Sequence, residues 1–473
     1  MSDVTKRMSI RIAGVLAILA MVVALGLTLL RPTAAEPEFR LPLAERVPGA
    51  VLPETADAVL PGIGTAAPVP AADVLDRVLL PLIAVKALGT GVSIDVLDPL
   101  TGEHLMAEGP TTARTPASTA KLLTAAAVLT AVGPETTLPT TVVAGTDPGQ
   151  VVLVGGGDVM LAAGAGDPVA VNGRAGLDDL ARQTATSLLA QGRSRVSLTL
   201  DDRLFSGPTR SPGWEDSDVD DGYVAPIQAL EINGGRIGTA HYAQRVPDPA
   251  LAAATTFAER LKDHGVKVTG SPHRGAAPES ATGEAAVLGR VESAPVAGLV
   301  EFALTESDNT VAETLGRLVA IAAGQPGSFS AAGPAVLDRL KQLGVPVTGA
   351  VLSDTSGLGQ GSAVPPQTMT AVLALAAGAD QPQLRAVLSG LPIAAVSGTL
   401  SGRFSDSAQR AATGVVRAKT GTLTGVSSLA GTVVDSDGRL LVFAAMADKV
   451  SSTTAARIAL DRLATTLAGC GCR

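Results

Sequence analysis

Three segments near the C-terminus, 415–423, 426–434 and 440–447, read as consecutive strands. Asp437-Gly438 stands at the second reversal, a dipeptide suited to a tight hairpin. A helix over about 453–468 closes the chain. Two more strands lie more than three hundred residues upstream. One alternates over 92–96, and the other begins near His104 after Asp98-Pro99 and Thr101-Gly102 supply a turn. Two strands at the front, and three strands plus a helix at the back, predict one sheet closed by both ends of the chain. The middle is then an insertion. From about 139 to 287 short β-like runs (151–154, 196–200) alternate with Gly-, Pro- and Asp-rich turns, whereas helical patterns occupy 118–131, 296–305 and 310–323. The expected class is α+β: a helical cluster on a five-stranded antiparallel sheet, with the active site between them and a largely β insertion at 139–287.

With 473 residues the chain has room for two or three domains. Apolar residues are 46% and charged residues 17%, which excludes a disordered polyelectrolyte. A formal net charge of −8 argues against a nucleic-acid partner, which requires a basic footprint. Aromatics are only 2%, so Val, Leu, Ile and Ala must fill the core. His104, His241, His264 and His273 show no HExxH spacing and make no zinc pattern with the cysteines, so neither metal nor cofactor is expected. Cys470-Gly471-Cys472 closes only a strained short ring and is given no role.

The N-terminal 31 residues set the expected location. Lys6, Arg7 and Arg11 precede an unbroken apolar run at 12–30 that ends at Arg31-Pro32. At 1.5 Å per residue this run reaches about 28 Å, close to the hydrocarbon thickness. Its length favours an uncleaved signal anchor over a cleaved signal peptide, although Thr33-Ala34-Ala35 resembles a cleavage site. The basic flank stays inside, and the bulk is exported. Prolines recur from 32 to 71, giving a spacer between the anchor at 1–31 and the globular part. The expected organisation is a split catalytic domain, 72–138 and 288–473, carrying inserted accessory domains at 139–287.

Three motifs carry chemistry. Ser118-Thr119-Ala120-Lys121 opens a helix, and the i, i+3 spacing puts both functional side chains on one face. Backbone N–H groups at a helix start suit an oxyanion, and the lysine serves as base once burial or a neighbouring cation lowers its pKa. Ser307-Asp308-Asn309 lies between two helices, where an N-cap is the plainer explanation. Lys419-Thr420-Gly421-Thr422 lies on an otherwise apolar strand. Its glycine marks close approach of a backbone or ligand, and a solvated edge lysine is the alternative. Together, in the order S-x-x-K, S-x-N, K-T-G, they point to a serine acyl-transferase of the penicillin-recognising type.

The chain resembles the class C low-molecular-mass penicillin-binding proteins, the D-alanyl-D-alanine carboxypeptidases/endopeptidases. The likeness extends from about 72 to 469. It includes Pro116-Ala117-Ser118, Gly155-Gly156-Gly157-Asp158, Pro212-Gly213-Trp214, Ala225-Pro226, Asp354-x-Ser356-Gly357-Leu358 and Gly398-Thr399-Leu400. Ser307 follows Ser118 by 189 positions, as in relatives that insert two domains there. The resemblance implies a penicillin-binding transpeptidase/β-lactamase-like fold, with peptidoglycan stem peptides and β-lactam antibiotics as ligands and the cytoplasmic membrane contacted through the N-terminal helix. It also implies roles. Ser118 attacks the penultimate D-alanine, Lys121 is its base, Ser307 relays a proton and Asn309 holds the substrate amide. Lys419, Thr420 and Thr422, with Gly421 and Leu423 in the same binding segment, receive the terminal carboxylate, and Lys419 helps depress the Lys121 pKa. The N–H groups of Ser118 and Thr422 form the oxyanion hole. Asp201 matches the aspartate that meets a diaminopimelate amine, and Gln360 replaces an arginine that pairs with the neighbouring carboxylate, which favours an amidated or neutral group.

Two rival functions share parts of this pattern. A class A β-lactamase needs a glutamate between the second and third motifs, and the only one there is Glu313, inside a helix. A non-catalytic peptidoglycan-binding pseudo-peptidase normally lacks the nucleophile or base, both present here. Asp216, Asp218, Asp220 and Asp221 read as an acidic surface loop, not a calcium site.

Overall fold

Along the strand 440–448, Leu441, Phe443, Ala445 and Ala447 enter one apolar cluster, and Val442 and Ala444 enter another. This period of two is that of a strand buried on both faces. The computed structural model describes residues 66–279 and 286–473. The apolar run at 12–30 and nearly all of the proline-rich spacer lie outside them. Among the described residues, no helix is long and apolar enough to cross a membrane.

The chain enters through α1 (Ala72–Ile83), β1 (Gly91–Leu97), β2 (His104–Glu108) and α2 (Lys121–Ala131). Next come β3 (Pro139–Ala144), β4 (Gln150–Gly155), β5 (Asp158–Leu161), α3 (Leu177–Ala190) and β6 (Arg195–Asp201). They are followed by α4 (Asp216–Asp220), β7 (Leu230–Ile232), α5 (Pro249–Asp263), β8 (Lys267–Val268), β9 (His273–Arg274) and β10 (Val287–Glu292). Helices α6 (Val296–Thr305), α7 (Asn309–Ala322), α8 (Phe329–Gln342), α9 (Pro366–Ala377) and α10 (Arg385–Ser389) come next. The chain then ends with β11 (Arg417–Leu423), β12 (Val426–Val434), β13 (Leu440–Asp448) and α11 (Thr453–Gly469).

The main sheet has the order β11-β12-β13-β1-β2 and is antiparallel throughout. The front of the chain thus closes against the back, as the strand pattern required, with Ile94 opposite Ala445 and Val96 opposite Phe443. Buried Asp98 accepts from Arg439 Nε at 3.1 Å, joining the β1–β2 turn to the β12–β13 hairpin. One face packs on α2 and α6–α9, and the other on α1 and α11. With aromatics scarce, both cores are mainly Leu, Val and Ala. Cys470 and Cys472, just past α11, are buried and paired with each other.

The segment between α2 and α6 builds its own sheet, β10-β3-β4-β6-β8, with β9 also pairing β6, and a small β5–β7 pair. The strands at 151–154 and 196–200 fall where expected, but they are parallel neighbours. Parallel strands need a crossover, and here it contains α3. With α5, this helix covers a core of Leu153, Leu180, Leu198, Phe257 and Leu261. The insertion is therefore mixed where the turn-rich sequence suggested mainly β. β10 pairs with β3, so the sheet runs to Glu292, past the expected limit of 287.

Candidate active site

Pro116 leads into a single 3-10 turn, Ala117–Ala120, that continues as α2. Ala117 sits at φ +48°, a left-handed conformation costly for a residue with a Cβ. Two glycines make room for it. A Cβ on Gly357 would meet Ala117 O at 1.9 Å, and one on Gly421 would meet Pro116 O at 2.5 Å. The strained turn holds Ser118 half-buried at the base of a cleft of about 820 Å³.

One turn into the helix, Lys121 is fully buried. Its Nζ donates to Ser118 Oγ at 3.0 Å, Asn309 Oδ1 at 2.6 Å and Ser356 O at 2.8 Å. Asn309 Nδ2 donates to Tyr223 O at 3.0 Å, which fixes the amide so that its oxygen faces the lysine. Burial lowers the Lys121 pKa to about 8, against the pull of Asp354, Glu313 and Asp308. The geometry matters more than the value. Two of the three contacts are pure acceptors and retain the two N–H bonds of a neutral amine, so the lone pair is left facing the serine hydroxyl.

Ser307 occupies the turn between α6 and α7 with φ +58°. The N-cap explanation holds, because Asp308 accepts from Val311 N at 2.8 Å. The same carboxylate is paired with Arg236, both groups being almost entirely buried. Lys419 is no solvated edge lysine. It is wholly buried, and its Nζ donates to Ser307 Oγ at 2.9 Å and Thr420 O at 3.0 Å. Burial pushes its pKa well down, and the Lys121 and Arg403 charges push it further. Lys121 owes its depression first to burial, and the repulsion between the two lysines disfavours charge on both.

β11 is the edge of the main sheet. Ala418 N donates outward to Pro392 O, so the pleat turns the N–H groups of Thr420 and Thr422 the same way, toward the cleft. Thr420, Thr422 and Leu423 line that cleft with Ser118, Ser307 and Asn309. The Asp354–Leu358 segment braces the lysine. Asp354 accepts from Trp214 Nε1 at 2.9 Å and from Gly357 N at 2.8 Å, joining two of the short motifs noted in the sequence. Glu313, the residue weighed as a hydrolytic base, is fully buried and accepts from Thr355 N and Ser356 N. It holds this loop from beneath and does not line the cleft.

Of the two expected side-chain contacts, one falls elsewhere and the other lies at the rim. Asp201, at the end of β6, is absent from the cleft and accepts from Arg203 Nε at 2.9 Å and Ala277 N at 2.7 Å. Its charge is used within the accessory sheet. Gln360 is exposed at the rim, where its Nε2 donates to Glu215 Oε1 at 3.2 Å. The acidic stretch assigned to a surface loop is the short helix α4, and Glu215 and Asp218 form a wall of the cleft. Only Trp214 and the preceding Pro-Gly signalled that this stretch approaches the site. Tyr223 and Tyr242, the only two tyrosines of the chain, meet edge to face at 5.1 Å at the mouth. Arg403 and Arg457 line the cleft as well, with no motif to announce them.

Comparison with known proteins gives a consistent result. The model of the D-Ala-D-Ala carboxypeptidase 3 (S13) family matches residues 81–245 and 237–467. A carboxypeptidase DacB of Mycolicibacterium smegmatis is 39% identical over 98% of both chains. A carboxypeptidase of Mycobacterium tuberculosis is 40% identical over 80% of both. Penicillin-binding protein 4 of Haemophilus influenzae has the same fold, with a TM-score of 0.67 at 22% identity over 82% of this chain and 98% of that one. The same protein solved with a β-lactam gives 0.59. With a catalytic-type serine and lysine in contact and a family match over most of its length, the chain belongs to the D-Ala-D-Ala carboxypeptidase 3 (S13) family of serine-type carboxypeptidases.

Proposed function

We propose that this carboxypeptidase acts outside the cytoplasmic membrane through an acyl-serine intermediate, and that it binds penicillin. The observation that carries this reading is the contact of Lys121 Nζ with Ser118 Oγ at 3.0 Å, beside two acceptors placed to hold the N–H bonds of the neutral amine. As Ser118 Oγ attacks the carbonyl carbon of the penultimate D-alanine, its proton passes to Lys121 Nζ. The resulting oxyanion is held by the N–H groups of Ser118 and Thr422. Ser307, backed by Lys419, delivers a proton to the departing amine as the C–N bond breaks. Asn309 orients the substrate amide, and Thr420 and Thr422 receive the terminal carboxylate. Water then hydrolyses the ester.

Glu215 and Asp218 suit an amine on the substrate side chain, the role first assigned to Asp201. The same chemistry applied to a D-alanyl cross-link gives endopeptidase action. The apolar run at 12–30 is proposed as the signal anchor, and the catalytic domain as 72–138 joined to the chain beyond Glu292, with 139–292 as its accessory part.

Intact mass after incubation with benzylpenicillin, beside Ser118→Ala, tests this reading. A long-lived penicilloyl adduct on the wild type alone is expected. Consumption of penicillin without an adduct indicates a β-lactamase, and intact penicillin without an adduct indicates a binding module. Either outcome overturns the proposal.

A further inference from the structure

The charges around the cleft are mostly spoken for. Arg236 is paired with Asp308, and Arg403 Nε donates to Asp461 at 3.1 Å. Arg245 donates to the carbonyls of Gly222 and Gly234. Arg457 differs. It lies in the second turn of α11, is exposed, and lines the cleft beside Thr420, Thr422 and Thr453. Among the described residues it makes no ion pair, and its Nε donates to Thr422 Oγ1 at 3.3 Å.

Lys419, the cation expected to meet the terminal carboxylate, is in a poor position to do so alone. Its Nζ is buried behind Ser307 Oγ and Thr420 O, at 2.9 and 3.0 Å. Burial also disfavours its charge. A carboxylate resting on the Thr420 and Thr422 hydroxyls therefore has the Arg457 guanidinium one hydrogen bond away, ready to offer its planar fork.

Resting on the carboxypeptidase reading above, we propose that Arg457 is a specificity-determining residue that selects substrates carrying a free carboxylate on the carbon next to the scissile nitrogen. A terminal D-alanine fits this rule. A cross-linked residue fits it only while that carboxylate is free, so amidation there turns the substrate away. A neutral carboxamide cannot make the charge-assisted pair, and its NH₂ group opposes the guanidinium donors. Arg457 takes no part in proton transfer, and its contribution falls on binding of the substrate and leaving group.

The test uses matched peptides ending in D-alanyl-D-alanine or D-alanyl-D-alaninamide, with the full chain, R457Q and R457K. Release of D-alanine or D-alaninamide gives kcat and KM for each. The wild type is expected to prefer the free acid by roughly tenfold or more in kcat/KM, the scale of one exposed charge-assisted contact. R457Q lowers this preference about tenfold, chiefly through KM, and R457K, a point charge in place of a fork, restores only part of it. Raising salt from about 50 to about 500 mM narrows the preference of the wild type and leaves R457Q nearly unaffected. If the wild type releases D-alanine and R457Q keeps the same acid-to-amide ratio, the role of Arg457 is overturned while the carboxypeptidase reading stands. If the wild type releases neither product, the carboxypeptidase reading itself fails, and this inference fails with it.

Discussion

Gly421 is where the third motif touches the first, and an alanine there tests whether that contact sets the rate. The added Cβ would lie 2.1 Å from Ser428 Oγ and 2.5 Å from Pro116 O. The hydroxyl cannot swing away freely, because it donates to Pro116 O at 2.6 Å. Pro116 O is backbone, and restoring an ordinary 3.4 Å contact parts β11 from the Ser118 turn by about 0.9 Å. The two proposed oxyanion donors, Ser118 N and Thr422 N, lie on opposite sides of that gap. Misplacement on the scale of 1 Å, or loss of one oxyanion donor, costs on the order of 10²-fold in rate. Overpacking of this kind costs stability by only about 1–3 kcal/mol. The expected result is a second-order acylation constant for a fluorescent penicillin about 10²-fold below wild type, in a protein that still melts cooperatively within several degrees of it. The double variant G421A/S428A removes the hydroxyl clash and remains slow, because the Pro116 carbonyl remains. Acylation within about threefold of wild type would refute the argument that this approach positions the oxyanion donors.

Lowering of the Lys121 pKa to about 8 means that the neutral base gains population as pH rises through that value. Acylation should therefore climb roughly tenfold from pH 7 to 9 and then level off, and a flat profile over this interval is incompatible with Lys121 as base. Removing Arg236 strands the buried Asp308 carboxylate, so R236A should lose about 3–5 kcal/mol in urea unfolding and R236A/D308N should regain much of it. A loss under about 1 kcal/mol would mean that the pair is not holding the second motif. Gln360 at the rim offers only an amide to a neighbouring substrate carboxylate, so the wild type should turn over amidated diaminopimelyl peptides at least as well as the free acid. Q360R should shift that ratio about tenfold toward the free acid, and a strong wild-type preference for the free acid rejects the idea.

Local pattern carried the architecture a long way. Strand alternation, Asp437-Gly438 and the breaks around 307–309 are short-range signals, and they foretold the five-stranded sheet and the limits of α6 and α7. The parallel pairing of β4 with β6 has no such local signal, because two runs of valine and leucine look the same whichever way their neighbour runs. Asp201 shows a different limit. Its match to an aspartate of the resembled family implied a substrate contact, but only the folded chain shows Arg203 and Ala277 N occupying its oxygens.

Taken alone, the sequence determined which residue types come as a set: a serine three places before a lysine, a serine and asparagine between helices, and a lysine on a glycine-bearing strand. What each of them is able to do was decided by tertiary structure. Lys121 meets Asn309 and Ser356 across 188 and 235 positions, and Lys419 reaches Ser307 across 112. Arg457 meets Thr422 from a helix that carries no motif at all. Nucleophile, base and charge partner are properties of desolvation and of distances below about 3.5 Å, and such distances exist only once both ends of the chain have closed on one sheet.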